Sequence, residues 1–267
     1  MSATLAPPAT NSPRSTRETP AKQRRSIIGG AVVALLIPTY LVTSRPAADS
    51  SVPATIAVPA AIPALVTPIA PRLAEFGLEQ VSNDTRFIAN WIADSRDNGT
   101  QGFIIIDKKY ARLHVFDVNA RLQRSSVVLL GSAIGDDSAP GIGSKPIAQV
   151  RPSERTTPAG RFVGQRGRNT TGEDVVWVDY DAAVSIHRVR ATNAKERRLE
   201  RLATPTISDN RISYGCINVP TAFYDAHINP LFKTQRAIIY VLPEVRTAKQ
   251  VFGAYFPSEF SRAEVPR

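Results

Sequence analysis

The single cysteine of the chain, Cys216, is the side chain best suited to chemistry. It lies in Arg211-Ile-Ser-Tyr-Gly-Cys-Ile-Asn-Val-Pro220, a polar turn, whereas a structural free cysteine is usually buried as a small apolar residue. A thiolate is a strong nucleophile, but a free cysteine is mostly protonated at neutral pH and needs a base beside it. Cys216 is therefore a candidate nucleophile, with a buried packing residue as the alternative interpretation.

Two neighbours of Cys216 favour a reactive thiol. Gly215 lets the backbone come close to a ligand. Pro220 is expected to open a helix, which would place the thiol near a helix N-terminus, where the positive end of the helix dipole favours a thiolate.

Three histidines could serve as the base. His187 ends the strand-like run 183–187, so its side chain can project from a rigid edge toward a neighbouring loop. His114 alternates within a predicted strand and His227 lies in the helix expected after Cys216, so packing or surface roles are expected for both. His187 is therefore the predicted general base.

Three segments taken together resemble a known family. Thr157-Pro-Ala-Gly-Arg-Phe162, then His187, then Ser213-Tyr-Gly-Cys-Ile-Asn218 are similar to the L,D-transpeptidases of the YkuD type, cysteine enzymes that act on peptidoglycan. The resemblance runs from about Gly102 to Glu244. It implies a mainly β catalytic domain, a YkuD-like sandwich or barrel with a few helices, that acylates its cysteine with a tetrapeptide stem. Terminal D-Ala would leave, and an amine of a second stem or of a lipoprotein lysine would accept the acyl group.

The resemblance also implies roles at the site. Cys216 would attack the stem carbonyl, and His187 would take the thiol proton and later protonate the leaving amine. The other residues that would orient the histidine, form the oxyanion hole or support the turn are the Arg188 backbone carbonyl, Ser213, Tyr214, Gly215 and Asn218. No metal and no organic cofactor is implied.

This chain departs from the family's pattern near the site. Tyr214 stands where histidine is frequent, Arg188 where glycine is common, and Asn218 where arginine is often found. The segment 188–211 is an insertion with seven basic and three acidic residues. It is expected to form a solvated helical lid, or else to contact the acidic stem or a partner.

Two other functions remain open from the sequence. The same Cys–His pair could act as an L,D-carboxypeptidase or endopeptidase, or release tethered lipoproteins, if water were the acceptor. Alternatively, the departures have removed the chemistry, and the domain is an inactive peptidoglycan-binding module.

The elements that must position these residues are mostly strands. Short β-branched runs predict strands over 103–107, 112–116, 125–130, 161–165, 175–180, 183–187 and 237–242. Strands at this spacing favour an antiparallel sandwich or barrel over residues 101–244. Residues 72–100 are expected to form a helical extension with Phe87, Ile88, Trp91 and Ile92 on one face. Residues 245–267 are expected to form a second helical extension.

The N-terminal third has a different character. Residues 1–25 are expected to be a disordered basic cytoplasmic tail, and residues 44–71 a Pro/Ala-rich linker. Residues 26–43 carry no charge and are long enough to cross a bilayer as one helix. They predict a membrane anchor with the catalytic domain outside the cytoplasm, the alternative being a cleaved signal sequence. Together with the family resemblance, this topology implies the inner membrane and the periplasm.

Composition excludes several classes of protein. With 267 residues and 43% apolar side chains, the chain has enough apolar material for a folded core. One cysteine cannot form an intrachain disulfide or a cysteine-based metal centre. The net charge is +10, but about half of this excess lies in the first 45 residues, which hold six basic side chains and one glutamate. The remainder is only mildly basic, so no nucleic-acid partner is expected.

Overall fold

A computed structural model describes residues 70–233 and 236–257. The strands are β1 (Phe103–Asp107), β2 (Arg112–Phe116), β3 (Leu122–Val127), β4 (Leu130–Gly131), β5 (Gly160–Arg168), β6 (Asp174–Asp179), β7 (Val184–Arg188), β8 (Arg211–Ser213), β9 (Ile217–Val219) and β10 (Ala237–Val241). The α-helices are α1 (Asn83–Ser95), α2 (Arg198–Ala203), α3 (Thr221–Phe223), α4 (Asn229–Leu231) and α5 (Ala248–Phe252), with a π-helical turn over Tyr224–Ile228 between α3 and α4. The expectation of a mainly β domain with few helices is confirmed.

Eight strands form one sheet in the order β3-β2-β1-β10-β5-β6-β7-β9, and β4 pairs with β8. The sheet nearly closes on itself, because Leu129, just after β3, exchanges two backbone hydrogen bonds of 2.9 Å with Asn218 in β9. The expectation of a purely antiparallel sheet is wrong for three pairs: β1 with β10, β7 with β9, and β4 with β8 are parallel. Long connections join the strands of each pair, as parallel pairing requires.

Side chains along the central strands point alternately to the two faces of the sheet and so contribute to two separate apolar clusters. Ile104 and Ile106 of β1 point into the core enclosed by the nearly closed sheet, whereas Phe103 and Ile105 point to the outer face of the sheet. The helix α1 covers that outer face. Both faces of β1 are buried for this reason, which explains its continuous apolar sequence.

The helix α1 forms where the apolar spacing predicts it. The Ser82 hydroxyl caps it by accepting a hydrogen bond from the Thr85 amide. Ile88, Trp91 and Ile92 are buried against the sheet. The helix thus turns its apolar stripe onto the outer face of the central strands.

The segment after the last strand covers the same face. Phe252 and the buried Trp91 lie with ring centroids 6.3 Å apart, and Tyr255 donates a hydrogen bond to Asp94. The helix α5 ends at Gly253, which has the left-handed φ of 65° that is common where helices end. The expected helical extension over 245–267 thus begins with a helix of only five residues.

The insertion 188–211 holds one short helix, α2, between two 3₁₀ turns, Ala194–Glu196 and Ile207–Asn210. Three of its basic residues pair with its own acids. Arg197 pairs with Glu200, Arg198 with Glu196, and Arg201 with Asp209. Much of the positive charge that the sequence concentrates here is therefore neutralised within the insertion.

The predicted membrane segment 26–43, the tail 1–25 and nearly all of the linker 44–71 lie outside the described residues, as do the last ten residues. Within the described ranges, no helix has the length and apolarity needed to cross a bilayer. The division of the chain into these segments stays a prediction.

Candidate active site

A tight turn between β8 and β9 holds the thiol. The Ser213 hydroxyl accepts a hydrogen bond from the Gly215 amide at 3.1 Å and donates one to the Cys216 carbonyl at 2.6 Å. Gly215 has a φ of 128°, and a Cβ there would lie 2.8 Å from the Thr156 carbonyl oxygen. Both the backbone conformation and the close approach therefore require glycine before the cysteine.

Thr157 supports this turn from a neighbouring segment. Its buried hydroxyl donates to the Gly215 carbonyl at 2.8 Å and accepts from the Gly131 amide at 2.9 Å. The threonine that opens the 157–162 motif thus links two loops to the cysteine turn. The resemblance included Thr157 in a motif, but its role as a support emerges only from the structure.

The structure brings Cys216 and His187 together. The Cys216 thiol donates a hydrogen bond to the Ala183 carbonyl at 3.5 Å, and it lies within reach of the His187 imidazole, which lowers its pKa. The Nδ1 of His187 lies 2.7 Å from the Arg188 carbonyl oxygen, as the family resemblance implies. A proton on Nδ1 satisfies that carbonyl and leaves Nε2 for the thiol. The Arg188 carbonyl therefore orients the imidazole, which lies beside the thiol.

The surroundings of the thiol favour its ionised form. Burial alone would raise the pKa of Cys216, but the hydrogen bond and charge of His187, together with hydrogen bonds from Ser185, outweigh burial and lower it. The Ser185 hydroxyl lies 3.7 Å from the sulfur. A helical segment begins after Pro220 as expected, but β9 lies between it and Cys216, so its N-terminus is not beside the thiol as the sequence predicted.

The backbone amides of the turn differ in availability. The Gly215 amide donates to Ser213 and is engaged within the turn. Neither Tyr214 nor Cys216 has an amide hydrogen bond to any residue that the structure describes. Those two amides are therefore the candidates to meet an oxyanion.

Arg188 contributes to the site with its backbone, while its side chain makes a separate network. The guanidinium binds Asp174 at 3.0 Å and Asp225, and lies 4.3 Å over the ring of Tyr224. These contacts tie the end of β7 to β6 and to the helical segment after β9. An arginine where the family commonly has glycine is accommodated because the guanidinium has its own anchors.

Asn218 lies two residues after the nucleophile and is fully buried. Its amide nitrogen donates to the Cys216 carbonyl at 3.2 Å, and its amide oxygen accepts from Arg198 at 2.6 Å. It thus connects the insertion to the cysteine turn and supports the turn from inside.

The other two histidines lie elsewhere. His114 is buried, its Nδ1 lies 2.8 Å from the Ser125 hydroxyl, and burial lowers its pKa to about 4. His227 lies in the π-helical turn beside the ring of Phe223. No group of three or more His, Cys, Asp or Glu side chains that could hold a metal ion occurs in the described part of the chain.

A buried ion cluster lies beneath the site, formed by Lys108, Asp136, Arg211 and Glu244. The Lys108 ammonium is fully buried and binds the Asp136 carboxylate at 2.9 Å and the Thr157 carbonyl at 3.0 Å. Arg211, the first residue of β8, pairs with Glu244. The cluster therefore holds both the Thr157 segment and the strand that leads to Cys216.

The charge state of Asp136 follows from its partners. Burial alone would raise its pKa, but the amides of Arg246 and Glu244 and the Lys108 ammonium hold it well below its usual range. The sequence did not reveal this cluster, because Lys108 and Asp136 lie 28 residues apart without any motif between them.

An aromatic groove lies on the outer face of the sheet, over β5 and β6, one strand away from Ser185. The register pairs Trp177 of β6 with Ser185 of β7, so their side chains share one face, and Ser185 contacts Cys216. Trp177 and the exposed Tyr180 lie with ring centroids 5.2 Å apart. The groove, about 560 Å³ in volume, is lined by these rings with Val163 and Gln165 among others. The sequence analysis did not single out these aromatic residues.

No family model and no curated protein matches this sequence. Among solved structures, the chain is similar to Pgp2, a helical cell shape determining protein from Campylobacter jejuni, at 12% identity and a TM-score of 0.39, over 64% of this chain and 58% of that one. It is similar to L,D-transpeptidase 1 of Mycobacterium tuberculosis at 16% identity and a TM-score of 0.29, over 53% and 61%. It is also similar to the L,D-transpeptidase of Xylanimonas cellulosilytica at 15% identity and a TM-score of 0.33, over 54% of this chain and 62% of that one. The chain thus spans less than two thirds of the length of each of these proteins.

Proposed function

We propose that this protein is a peptidoglycan L,D-transpeptidase with Cys216 as its nucleophile. The observation that carries the proposal is the arrangement of the Cys216 thiol, the His187 imidazole that lowers its pKa and the Arg188 carbonyl that orients this imidazole. A nucleophile, a base within reach and a group that orients the base are the parts that acyl transfer needs. The motifs around residues 157–162, His187 and 213–218 support the choice of peptidoglycan as substrate.

In the first half of the reaction, His187 takes the thiol proton and the sulfur attacks the carbonyl carbon after the L-centre of diaminopimelate in a tetrapeptide stem. The amides of Tyr214 and Cys216 stabilise the oxyanion of the tetrahedral intermediate. The C–N bond then breaks, His187 protonates the leaving amine, and D-Ala departs. A thioester remains on Cys216.

In the second half, an amine attacks the thioester. His187 accepts the amine proton, the C–S bond breaks, and the thiol is regenerated. An amine of another stem gives a crosslink and a lipoprotein lysine gives a tethered lipoprotein, whereas water would give a shortened stem.

The position of the aromatic groove suggests where the substrate extends. Trp177 lies one strand away from Ser185, which contacts the thiol. We place the part of the stem next to the scissile bond against Trp177 and Tyr180, since pockets for small organic groups are commonly lined by aromatic side chains with a few polar groups.

The cellular setting is part of the proposal. Residues 26–43 would anchor the chain in the inner membrane, and the linker 44–71 would hold the domain in the periplasm, where its substrate lies. This rests on the uncharged stretch and the basic residues that precede it. Fractionation of cells that carry the full chain, or the chain without residues 1–43, tests it: only the full chain should remain with membranes.

The activity test incubates wild type and Cys216→Ala with disaccharide tetrapeptide and with crosslinked dimer, and identifies products by mass spectrometry. Cysteine-dependent dimer formation or exchange of terminal D-Ala is expected. Cysteine-dependent loss of the preformed dimer would instead show a hydrolase. If folded protein changed neither substrate, the proposal would fail and a binding module would take its place.

A further inference from the structure

The Arg155 guanidinium lies beside the cysteine turn. Arg155 stacks on the ring of Tyr214, with 4.1 Å between the guanidinium carbon and the ring centroid. Its chain segment runs along the turn, since the carbonyl of the next residue, Thr156, lies 2.8 Å from the place where a Cβ on Gly215 would be. A positive charge is thus fixed against the residue two positions before Cys216.

This guanidinium has few partners. Of its five N–H groups, one donates to a described residue, the Val150 carbonyl at 3.3 Å. The Nε is buried without a hydrogen-bond partner, and no carboxylate of the described residues pairs with Arg155. Arg188 and Arg211, by contrast, each pair with carboxylates.

The neighbouring acid is already occupied. Glu154 accepts from the Lys145 ammonium with both oxygens, at 2.9 and 2.7 Å, and from the guanidinium and amide of Arg151. These hydrogen bonds lower the pKa of Glu154 to about 2, so it stays charged and bound to them. Arg155 therefore keeps unused donors and an unneutralised charge beside Tyr214, two residues before the nucleophile.

We infer that Arg155 forms a subsite for a carboxylate of the molecule that reacts with Cys216. A planar guanidinium matches a carboxylate geometrically, and stacking on Tyr214 fixes its plane before the ligand arrives. Within the proposed function, on which this identification of the substrate group rests, the ligand is a free carboxylate of the stem peptide near the scissile bond.

The test uses two small probes that need no peptidoglycan. Iodoacetate and iodoacetamide both alkylate the same thiolate, but only iodoacetate carries a carboxylate. The ratio of their rate constants therefore cancels changes in the ionisation of Cys216, and the chain has no other cysteine. Intact mass measures both rates on the full chain.

We expect the iodoacetate-to-iodoacetamide ratio to fall about fivefold in Arg155→Gln, since one nearby charge is lost. Arg155→Lys keeps the positive charge but not the planar guanidinium, so its ratio should fall less than that of Arg155→Gln. The matched control is Arg124→Gln, which removes an arginine on β3 that likewise pairs with no described carboxylate. It should leave the ratio unchanged.

A second measurement needs no variant. Raising the salt concentration from about 0.01 M to about 1 M should lower the wild-type ratio toward that of Arg155→Gln, because salt screens the attraction. An equal ratio in wild type and Arg155→Gln would overturn the inference, as would an equal fall in Arg124→Gln. Because the probes are not stem peptides, the two failures can be told apart. An unchanged ratio in Arg155→Gln together with wild-type transpeptidation refutes the subsite alone. A fall of the ratio without transpeptidation by the wild type refutes the proposed function alone.

Discussion

The buried ion cluster and the Cys216 site lie on two sides of the same residue, Thr157. The Lys108 ammonium binds the Thr157 carbonyl, and the Thr157 hydroxyl binds the Gly215 carbonyl of the cysteine turn. On the first side every charged group has a charged partner: Lys108 with Asp136, and Arg211 with Glu244. On the second side the thiol has a base beside it, and two amides of its turn have no partner among the described residues.

The difference separates structural polar groups from reactive ones. A buried charge that is fully paired holds its neighbours in place and has no capacity left for a ligand. The cysteine turn retains donors and a nucleophile that only a substrate would engage. Substitutions in the fully paired ion cluster should therefore lower the stability of the fold, whereas substitutions at the Cys216 site should lower the reaction rate.

The largest effect is expected on the site side, in His187→Ala. Loss of the base should reduce acyl transfer by roughly 10²- to 10⁴-fold. Because His187 helps to lower the pKa of Cys216, the iodoacetamide rate of the variant should rise and level off at a higher pH than in wild type. A pH profile of alkylation measures the shift. An unchanged profile would show that the imidazole does not control the thiol.

On the cluster side, Lys108→Met should lower the free energy of unfolding by about 3 kcal/mol, because it removes the fully buried cation beside Asp136 and leaves only the partly exposed Arg246 guanidinium, 3.7 Å away. The adjacent Lys109 gives a matched control. It pairs with Asp84 at 2.8 Å, but both side chains are 47% exposed, so Lys109→Met should cost less than about 1 kcal/mol. Urea denaturation of the three proteins decides the point. Equal losses in both variants would remove the distinction between buried and exposed pairs.

The sequence predicted the strands well where the apolar pattern is strong. Both 103–107 and 112–116 were predicted with the bounds that the structure has. The strands β8 and β9 were missed, because three residues are too few for a periodic pattern. The helix expected after Pro220 does form, but the missed strand β9 separates its N-terminus from Cys216. The parallel pairing was missed because the direction in which two strands pair depends on which distant segments become neighbours, and the apolar pattern within one strand does not reveal its neighbour.

Between the two regions, Thr157→Val should have an intermediate effect. The variant keeps the shape of the side chain but leaves the Gly131 amide and the Gly215 carbonyl without their partner, at a cost of about 1–3 kcal/mol in unfolding free energy. The turn should also loosen, with a lower kcat and little change in KM. Thr156→Val is the control, since the neighbouring hydroxyl takes no part in these two bonds. Similar losses in the two variants would contradict the supporting role of Thr157.

The smallest effect is expected in the groove. Trp177→Ala should raise KM for a tetrapeptide substrate several-fold, about 1 kcal/mol, with kcat nearly unchanged, because it removes contact area and no reacting group. Steady-state kinetics over a range of stem concentrations measures this. A fall in kcat with constant KM would place Trp177 at the reacting centre instead.

For the site, residue types identified the reactive pair but not its support. Residue types and the resemblance both indicated Cys216 and His187, and the structure places the imidazole where it lowers the pKa of the thiol. Sequence could not reveal Lys108 or Arg155, since each acts through residues distant in the chain. A buried cation is recognisable only when the fold shows how many partners it has.

The most direct test of the contrast is the intact mass of the protein during reaction with disaccharide tetrapeptide. Wild type should gain the mass of the donor minus D-Ala, as a thioester on Cys216. Lys108→Met, measured at a temperature where it is folded, should gain the same mass, and Cys216→Ala should gain none. An adduct that persists in Cys216→Ala, or a folded wild type that never acquires one, would contradict the account.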